Sequence, residues 1–410
     1  MTALRTPLTM SAVAFAAWLL GAPLAQADTV TDWNERAVGA VYAAGLTPDR
    51  QSRTLAIMHV AMFEALNSIT PRYAPFRGRL QAEPGALPEV AAAVAAHHTL
   101  VQLFPDKAKE FDAALQADLA KVPEGPGKGA GVRMGERAAA AMLAEREKDG
   151  AAAPITYRPY TTPGKYVPTA FPASSTWGAV KPFVLKAGNQ FRPPEPYALT
   201  STQWAADYNE VKRMGAKTGS QRTPEQNDIA RFWQITGTAT YNPVTRHLAE
   251  VKRLDLLDSA RLFALSSIAT ADAAVAIFDA KYAYNFWRPV TAIRNGDMDG
   301  NDATELDAGW EPMIATPMHP EYPCAHCTFQ GAAAGVLQVM YGDAIPRVTL
   351  TSTAAPGVTR SFERLSDYVK EVINARIYEG VHYRTSGEVG AALGRKVAEE
   401  VVRNNLQPLQ

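Results

Sequence analysis

The sequence predicts an all-α protein built as one large helical bundle. Apolar residues recur at helical spacing over most of the chain, Pro and Gly separate these stretches, and strand-like alternation is scarce. The chain has 410 residues, of which 47% are hydrophobic, so it can bury an extensive core. No segment has the composition of an interdomain linker, and we therefore expect a single domain over residues 28–410.

The individual helices are predicted from their apolar periodicity and from the residues that begin and end them. The Ala-rich stretch that starts at Pro88 is expected to break at Pro105, because proline disrupts a helix interior. Thr223, Pro224 and Gln226 form the pattern of a helix amino terminus, with a capping threonine and proline in the first turn. The predicted helices cover residues 33–45, 50–68, 88–122, 129–148, 223–236, 246–266, 268–287, 326–341, 359–374 and 386–404.

Residues 151–200 are expected to form a long irregular segment, because they contain nine prolines. Long loops are often functional. The segment could cover the mouth of a site or wrap a subunit of a homodimer, and a plain surface insertion is an equally good interpretation.

Residues 1–27 have the organisation of a secretory signal peptide. Arg5 supplies the charged start, residues 12–20 the apolar stretch, and Ala25-Gln26-Ala27 a cleavage site before Asp28. The apolar stretch is too short for a membrane span, and no later segment has 18 uninterrupted apolar residues. We expect cleavage after Ala27, a periplasmic or secreted protein, and no transmembrane span in the mature chain.

The charge balance gives no support for nucleic-acid binding. Lys and Arg together number 41, as do Asp and Glu, and no basic tract stands out. The cationic residues of interest are instead concentrated in three short blocks, residues 281–289, 323–327 and 376–382.

The first two blocks place cations and an imidazole near helix ends. Lys281 and Arg288 are seven residues apart, so on one continuous helix they would project from nearly one face. Pro289 is expected to end or kink that helix. His326 lies at the start of the next predicted helix, where free backbone N–H groups favour an anion.

The third block contains Arg376 and His382, six residues apart and about 120° out of phase on an unbroken helix. They can converge only if the helix breaks between them, and Gly380 is the natural place. Arg and Lys match the oxygens of a tetrahedral oxyanion, and imidazoles can attack it, coordinate it or move protons. The three blocks together predict an oxyanion site.

In this order, the blocks resemble the signature K-x6-RP, PSGH and SR-x5-H. That signature belongs to the superfamily that joins the vanadium-dependent haloperoxidases and the type 2 phosphatidic acid phosphatases. The first block is intact, whereas Cys324 and Ala325 replace Ser and Gly in the second, and Ala375 replaces Ser in the third. Residues 55–65, 222–233 and 279–293 look like the bacterial haloperoxidase branch. The resemblance implies the helical-bundle fold of that superfamily.

The resemblance also implies roles for the site residues. His382 would be the imidazole bound to the vanadium of vanadate, or the nucleophile of a phosphatase, and His326 would be the acid–base histidine. Lys281, Arg288 and Arg376 would hold the oxygens of the oxyanion, and Lys281 would also polarise bound peroxide.

Two positions depart from the family pattern. The residue at position 324 normally offers a hydroxyl and that at 325 a backbone N–H, so Cys324 and Ala325 would also bind the oxyanion, with the thiol a weaker donor. The phosphatases carry an Asp four residues after the nucleophilic His, whereas this chain has Ser386, with Glu388 two residues further on. This substitution argues against an efficient phosphatase.

His319 lies seven residues before His326. The bromoperoxidases of the family similarly carry His at this position, which implies tuning of the site towards bromide. The alternative interpretation is a histidine that packs under the loop and has no direct part in the chemistry.

The two cysteines of the chain, Cys324 and Cys327, form a C-x-x-C pair. An oxidising compartment and this spacing permit a local disulfide. A haem site would need His directly after the second Cys, and a zinc site would need more ligands.

Three functions remain open at this point. The leading hypothesis is a vanadate-dependent haloperoxidase that oxidises halide with hydrogen peroxide. The second is a soluble acid phosphatase that acts on a phosphate monoester through a phosphohistidine, since phosphate could occupy the same site as vanadate. The third is an oxyanion-binding relative whose chemistry the Cys324 substitution has weakened.

Overall fold

The computed structural model describes residues 28–168 and 170–409 and is a bundle of α-helices with one small antiparallel sheet. Helices account for 59% of the structure, which confirms the predicted fold class. The signal peptide predicted for residues 1–27 lies outside the described residues, and the assignment of residues 28–410 to one domain stays a prediction.

Thirteen α-helices and two strands occur in the described part of the chain. The first seven helices are α1 Thr29–Ala43, α2 Pro48–Ile69, α3 Pro88–Leu103, α4 Ala108–Leu119, α5 Pro126–Arg146, α6 Thr202–Gly215 and α7 Pro224–Phe232. The remaining helices are α8 Asn242–Val251, α9 Leu256–Tyr284, α10 Pro289–Arg294, α11 Ala325–Tyr341, α12 Leu365–Tyr378 and α13 Arg384–Asn404. Strands β1 Ala344–Thr351 and β2 Thr359–Arg364 pair in antiparallel register.

Helix α9 is the central helix of the bundle and packs against α2, α11 and α13. The Asp255 carboxylate caps it by accepting the Asp258 N–H, and Asn285 ends it in the left-handed conformation at φ 51°. Its apolar residues lie all round the helix, as expected for a helix enclosed on every side. Among the described residues it alone is long and apolar enough to cross a membrane, but 94% of its apolar window is buried inside the protein.

The prediction of two helices at 246–266 and 268–287 is wrong. Ser266 and Ser267 lie inside α9, and the Thr270 hydroxyl donates to their carbonyl oxygens, so this hydroxyl is satisfied within the helix. The chain turns instead at Arg253, which has φ 50°, between α8 and α9.

Further elements differ from the prediction, among them α6 and β2. Helix α6, capped by the Ser201 hydroxyl, was not predicted. Residues 359–364, expected to begin a helix, form β2, and α12 starts only at Leu365. Strand β2 alternates exposed residues with the buried Phe362, which packs against Trp233 and Tyr368, so its pattern is that of a half-buried strand.

Helices α11 and α13 approach closely because glycines line their contact. A Cβ atom on Gly394 would lie 2.1 Å from the Thr328 carbonyl oxygen, and one on Gly331 would lie 2.4 Å from that of Ala391. No larger side chain fits at these points without separating the helices. This contact places the first turn of α11 beside the chain that leads into α13.

The long Pro-rich segment is irregular, as predicted, and in its described residues contains only short 3-10 turns. It is tied to the core by Asp272, a fully buried residue of α9. The Asp272 carboxylate accepts the backbone N–H groups of Phe183, Val184 and Leu185 at 2.6, 2.7 and 2.9 Å. Burial raises the pKa of this carboxyl to about 6, although the three N–H donors act to lower it.

We expect Asp272→Asn to lower the free energy of unfolding by about 1–3 kcal/mol near neutral pH, because an amide nitrogen would face buried N–H donors. Since the folded-state pKa is raised, the proton on Asp272 stabilises the fold fully below pH 3.8, and this contribution is lost as pH rises through about 6. Urea unfolding at several pH values checks both effects, and the variant should lose this pH dependence.

A matched control is Asp279→Asn on the same helix, which removes a carboxylate paired with the half-exposed Arg192. Its expected cost is about 0–1 kcal/mol. Equal costs for the two variants would contradict the role assigned to Asp272.

Candidate oxyanion site

The five side chains singled out in the sequence come from five different parts of the fold. Lys281 lies in the last turn of α9, Arg288 precedes α10, His326 lies in the first turn of α11, Arg376 lies in the last turn of α12, and His382 precedes α13. Lys281, Arg288, Arg376 and His382 are at most 2% exposed.

Lys281 and Arg288 do not share a helix face, so that part of the prediction is wrong. Helix α9 ends at Tyr284, before the proline, because Asn285 takes the left-handed conformation. Arg288 is the N-cap residue of α10, and Pro289 occupies the first position of that new helix. The turn between the two helices, and not one helical face, brings the two cations together.

Lys281 is held by the chain that leads to α11. Its Nζ donates to the carbonyl oxygens of Pro320 and Glu321 at 2.9 and 2.8 Å. An ammonium group has three N–H donors. One donor therefore remains for a ligand.

Arg288 links the segment that contains His319 to the segment that contains His382. Its Nε donates to the His319 carbonyl oxygen at 2.9 Å, and its Nη1 donates to that of Val381 at 2.7 Å. Nη1 also lies 3.2 Å from His382 Nε2, and Nη2 lies 3.0 Å from His319 Nδ1. The Arg288 guanidinium thus contacts both His319 and His382.

Arg376 and His382 converge because the helix breaks between them, as predicted. Helix α12 ends at Tyr378, and Gly380 has φ +78°. A Cβ atom at Gly380 would lie 2.5 Å from the Gly215 carbonyl oxygen, so only glycine fits this turn. The backbone N–H of His382 then donates to the Arg376 carbonyl oxygen at 3.3 Å.

Glu321 is a site residue that sequence reasoning missed. Its Oε1 lies 2.7 Å from His382 Nδ1 and accepts the Tyr383 backbone N–H at 3.1 Å. Glu321 thus supplies the carboxylate that was sought four residues after His382, where Ser386 stands, whereas Glu388 is exposed. The sequence signal was slight, a single carboxylate in the Pro-rich run before His326.

The contact with Glu321 decides the form of the His382 imidazole. A carboxylate accepts the Nδ1 proton, so the neutral ring has its lone pair on Nε2, the atom that faces Arg288. Burial, and then Arg288 and Lys281, hold the pKa of His382 well below its usual range. The ring is therefore neutral and can coordinate or attack through Nε2.

The other charged groups respond to the same environment. Burial lowers the pKa of Lys281 well below its ordinary value, with the nearby arginines adding to the effect, and lowers that of Arg288 to about 10. Burial raises the pKa of Glu321 to about 7, although Arg288 and Lys281 act to lower it. Burying three cations close together costs free energy, and a bound anion would offset that cost.

Two predicted site residues have buried atoms without a hydrogen-bond partner. These atoms are Nε2 of His326 and both Nε and Nη1 of Arg376. Burial and the charge of Arg376 lower the pKa of His326 well below its ordinary value, so this ring is neutral as well. Nη1 of Arg376 lies against the Glu379 carboxylate, so Nε of Arg376 and Nε2 of His326 are the two buried polar atoms that stay available to a ligand.

The residues present fit a tetrahedral oxyanion such as vanadate or phosphate. The donor set combines two guanidinium groups, an ammonium group and two neutral imidazoles, and Nε of Arg376 is buried without a hydrogen-bond acceptor. Among the described residues no group of three or more His, Cys, Asp or Glu side chains is placed to hold a bare metal ion. The site is thus suited to an anion and not to a cation.

Cys324 and Cys327 are joined by a disulfide across the first turn of α11. Cys324 is the N-cap residue, and its Sγ accepts the Cys327 N–H at 3.1 Å. A disulfide sulfur has no proton to donate, so the side chain of Cys324 cannot donate a hydrogen bond to an oxyanion in this form. Ala325 is the first residue of α11, so its N–H has no partner within the helix and stays a candidate donor.

His319 lies beside Arg288 and packs edge-on against Phe278. Burial, followed by the charge of Lys281, keeps the pKa of His319 well below its ordinary value. The contact with Arg288 accounts for a positioning role, and tuning towards bromide stays a prediction.

We expect the double variant Cys324→Ser, Cys327→Ala to bind inorganic phosphate about tenfold tighter or more, because a serine hydroxyl adds one hydrogen bond to a charged group. Loss of the short disulfide loop should cost about 2 kcal/mol of unfolding free energy. Equilibrium dialysis with radiolabelled phosphate and urea unfolding measure the two effects.

The control is Cys324→Ala, Cys327→Ala, which removes the same disulfide without adding a hydroxyl. It should lose the same stability and gain no phosphate affinity. An equal gain in both double variants would mean that loop freedom, and not the hydroxyl, governs binding.

Known proteins resemble parts of this chain in sequence. Residues 261–410 match the family model of the VCPO second helical-bundle domain. The vanadium chloroperoxidase of Curvularia inaequalis is 28% identical over a region that covers 37% of this chain and 30% of that protein. The aligned region is thus less than a third of the length of that relative.

Solved structures share the fold over most of the chain. A bacterial vanadium-dependent iodoperoxidase is 25% identical, with a TM-score of 0.79 over 93% of this chain and 97% of that one. A bacterial vanadium-dependent chloroperoxidase in the apo form is 15% identical, with a TM-score of 0.68 over 87% and 94% of the two chains, and shows the fold alone. Residues 261–410 are therefore similar to the VCPO second helical-bundle domain, and the chain as a whole is similar in fold to the bacterial vanadium-dependent haloperoxidases.

Proposed function

We propose that the protein is a vanadate-dependent haloperoxidase that oxidises halide with hydrogen peroxide. The observation that carries the proposal is the neutral His382 imidazole, with Nδ1 held by Glu321 at 2.7 Å and Nε2 turned towards the buried cations. The similarity in sequence and fold to vanadium haloperoxidases supports the proposal.

In this proposal the chain's own residues hold the anion in a preorganised, water-poor pocket. His382 would ligate vanadium through Nε2, and Lys281, Arg288 and Arg376 would hold the oxygens, with the N–H of Ala325 as a further donor. Because Lys281 and Arg288 are buried and already fixed by carbonyl oxygens, they need little reorganisation when charge shifts during the reaction.

Vanadate, when bound, would supply a Lewis acid that activates peroxide towards halide. His326 would accept and return a proton at Nε2, which is buried without a partner. The remaining N–H of Lys281 would polarise the oxygen nearest to it. Glu321 would keep the proton of His382 on Nδ1 throughout.

The direct test is reconstitution of the mature protein with vanadate, followed by bromination of monochlorodimedone with peroxide and bromide, then with iodide and chloride. Activity should require both vanadate and peroxide. If the protein binds vanadate but turns over no halide, the third hypothesis, a relative with weakened chemistry, is favoured instead.

We expect Glu321→Gln to weaken vanadate binding or halide oxidation by about 10–100-fold, because loss of the carboxylate makes the imidazole a poorer ligand. His382→Ala should abolish halide oxidation. Vanadate affinity, followed by ⁵¹V NMR, and the bromination rate are the two measurements, with circular dichroism to check folding.

Glu388→Gln is the matched control, since Glu388 is the exposed carboxylate nearest to the family's Asp position in sequence. It should behave like the wild type. A wild-type-like Glu321→Gln variant, or an active His382→Ala variant, would remove the basis of the assignment.

A phosphatase remains the second candidate, because Glu321 supplies the orienting carboxylate whose absence argued against it. His382 would then attack phosphorus through Nε2, and His326 would protonate the leaving group. Hydrolysis of p-nitrophenyl phosphate that vanadate inhibits, without bromination, would favour this function.

We also propose that the protein is exported, with cleavage after Ala27. The organisation of residues 1–27 and the disulfide between Cys324 and Cys327 support a periplasmic or secreted location. Amino-terminal sequencing of the protein recovered outside the cytoplasm tests this.

A further inference from the structure

A second buried carboxylate, Glu379, lies against the oxyanion site and takes no part in the proposed chemistry. It is fully buried at the carboxyl end of α12, three residues before His382. Its Oε2 forms an ion pair with Nη1 of Arg376, a side chain that is 2% exposed.

The contact between Glu379 and Arg376 is an ion pair without further support. Beyond this contact, neither carboxylate oxygen of Glu379 has a hydrogen-bond partner, and neither do Nε and Nη1 of Arg376. Arg376 is the one charged side chain that acts on Glu379 among the described residues. A carboxylate buried with so few partners is costly, which suggests a role beyond stability.

The charges of the site explain what that role is. Lys281, Arg288 and Arg376 face two buried carboxylates, Glu321 and Glu379. Glu321 interacts with the His382 imidazole and accepts a backbone N–H. Glu379 instead pairs with the guanidinium of Arg376, which an oxyanion would also use. An anion that binds Arg376 therefore meets the negative charge of Glu379 at close range.

We propose that Glu379 is a specificity-determining residue, whose carboxylate competes with the bound oxyanion for Arg376 and disfavours multiply charged oxyanions relative to singly charged ones. The inference rests on the proposed oxyanion site and adds a charge preference to it. Repulsion grows in proportion to the charge of the ligand, so a dianion suffers about twice the penalty of a monoanion.

The test uses perrhenate and tungstate, two tetrahedral oxyanions of similar size with one and two negative charges. Their dissociation constants are measured by isothermal titration calorimetry for the wild type and for Glu379→Gln. The measurements are made at pH 9, because burial raises the pKa of Glu379 to about 8 and the wild-type carboxyl must be ionised.

We expect Glu379→Gln to bind perrhenate about tenfold tighter and tungstate about a hundredfold tighter, so that the logarithm of the gain doubles with the charge. Glu379→Asp keeps the charge and should stay close to the wild type. Glu83→Gln removes a partly buried carboxylate, remote in sequence from the site, from its pair with Arg133 and should change neither constant.

The outcomes separate this inference from the proposed function. Equal gains for the two anions, or no gain in Glu379→Gln, would overturn the role of Glu379 while leaving the oxyanion site intact. If the wild type binds neither perrhenate nor tungstate nor vanadate, the oxyanion site itself is refuted.

The wild type provides a second test should Glu379→Gln fail to fold. With Glu379 in place, tungstate is expected to bind no more than about tenfold tighter than perrhenate. A preference above about a hundredfold for the dianion would contradict the inference.

Discussion

The burial of three cations around one imidazole is the constraint on which the rest of the structure depends. Lys281 and Arg288 are kept in place by backbone carbonyl oxygens of residues 319–321 and 381, so their charges are solvated by the protein and not by water. Carbonyl dipoles stabilise a cation without cancelling it. The site consequently retains positive charge for an anion, while the pKa values of His382 and His326 are held low and both rings stay neutral.

The two buried carboxylates, Glu321 and Glu379, balance the positive charges in different ways. Glu321 fixes the tautomer of His382 and accepts a backbone N–H, so its charge is tied to the orientation of the ring. Glu379 is paired with Arg376, and beyond that contact its carboxylate oxygens have no hydrogen-bond partner. The first arrangement strengthens one ligand of the anion, whereas the second moderates how strongly the anion is held. Affinity and reactivity can thus be adjusted by different residues.

The helical bundle positions the site residues by holding the irregular segments of the backbone in place. Asp272 on the central helix accepts three N–H groups from the Pro-rich segment, and Gly380 permits the turn between Arg376 and His382. Glycines between α11 and α13 bring the amino terminus of α11, with His326, beside the chain that carries His382. At the glycines the side chain is absent, and at Asp272 a charge is buried, so that backbone segments can approach closely. Both features cost stability, but they fix the positions of the site residues.

Helical periodicity, proline content and motif spacing are local properties of the chain, and they were enough to predict the helical architecture, the irregular segment at 151–200 and five candidate site side chains. The sequence also predicted the break at Gly380, since two side chains out of phase on a helix cannot otherwise meet. Three features emerged from the folded structure alone: the unbroken run of α9 from Leu256 to Tyr284, the new helix that Arg288 caps, and the carboxylates of Glu321 and Glu379 beside the candidate site. Those outcomes depend on which groups are buried together, and burial is set by contacts between residues far apart in the chain.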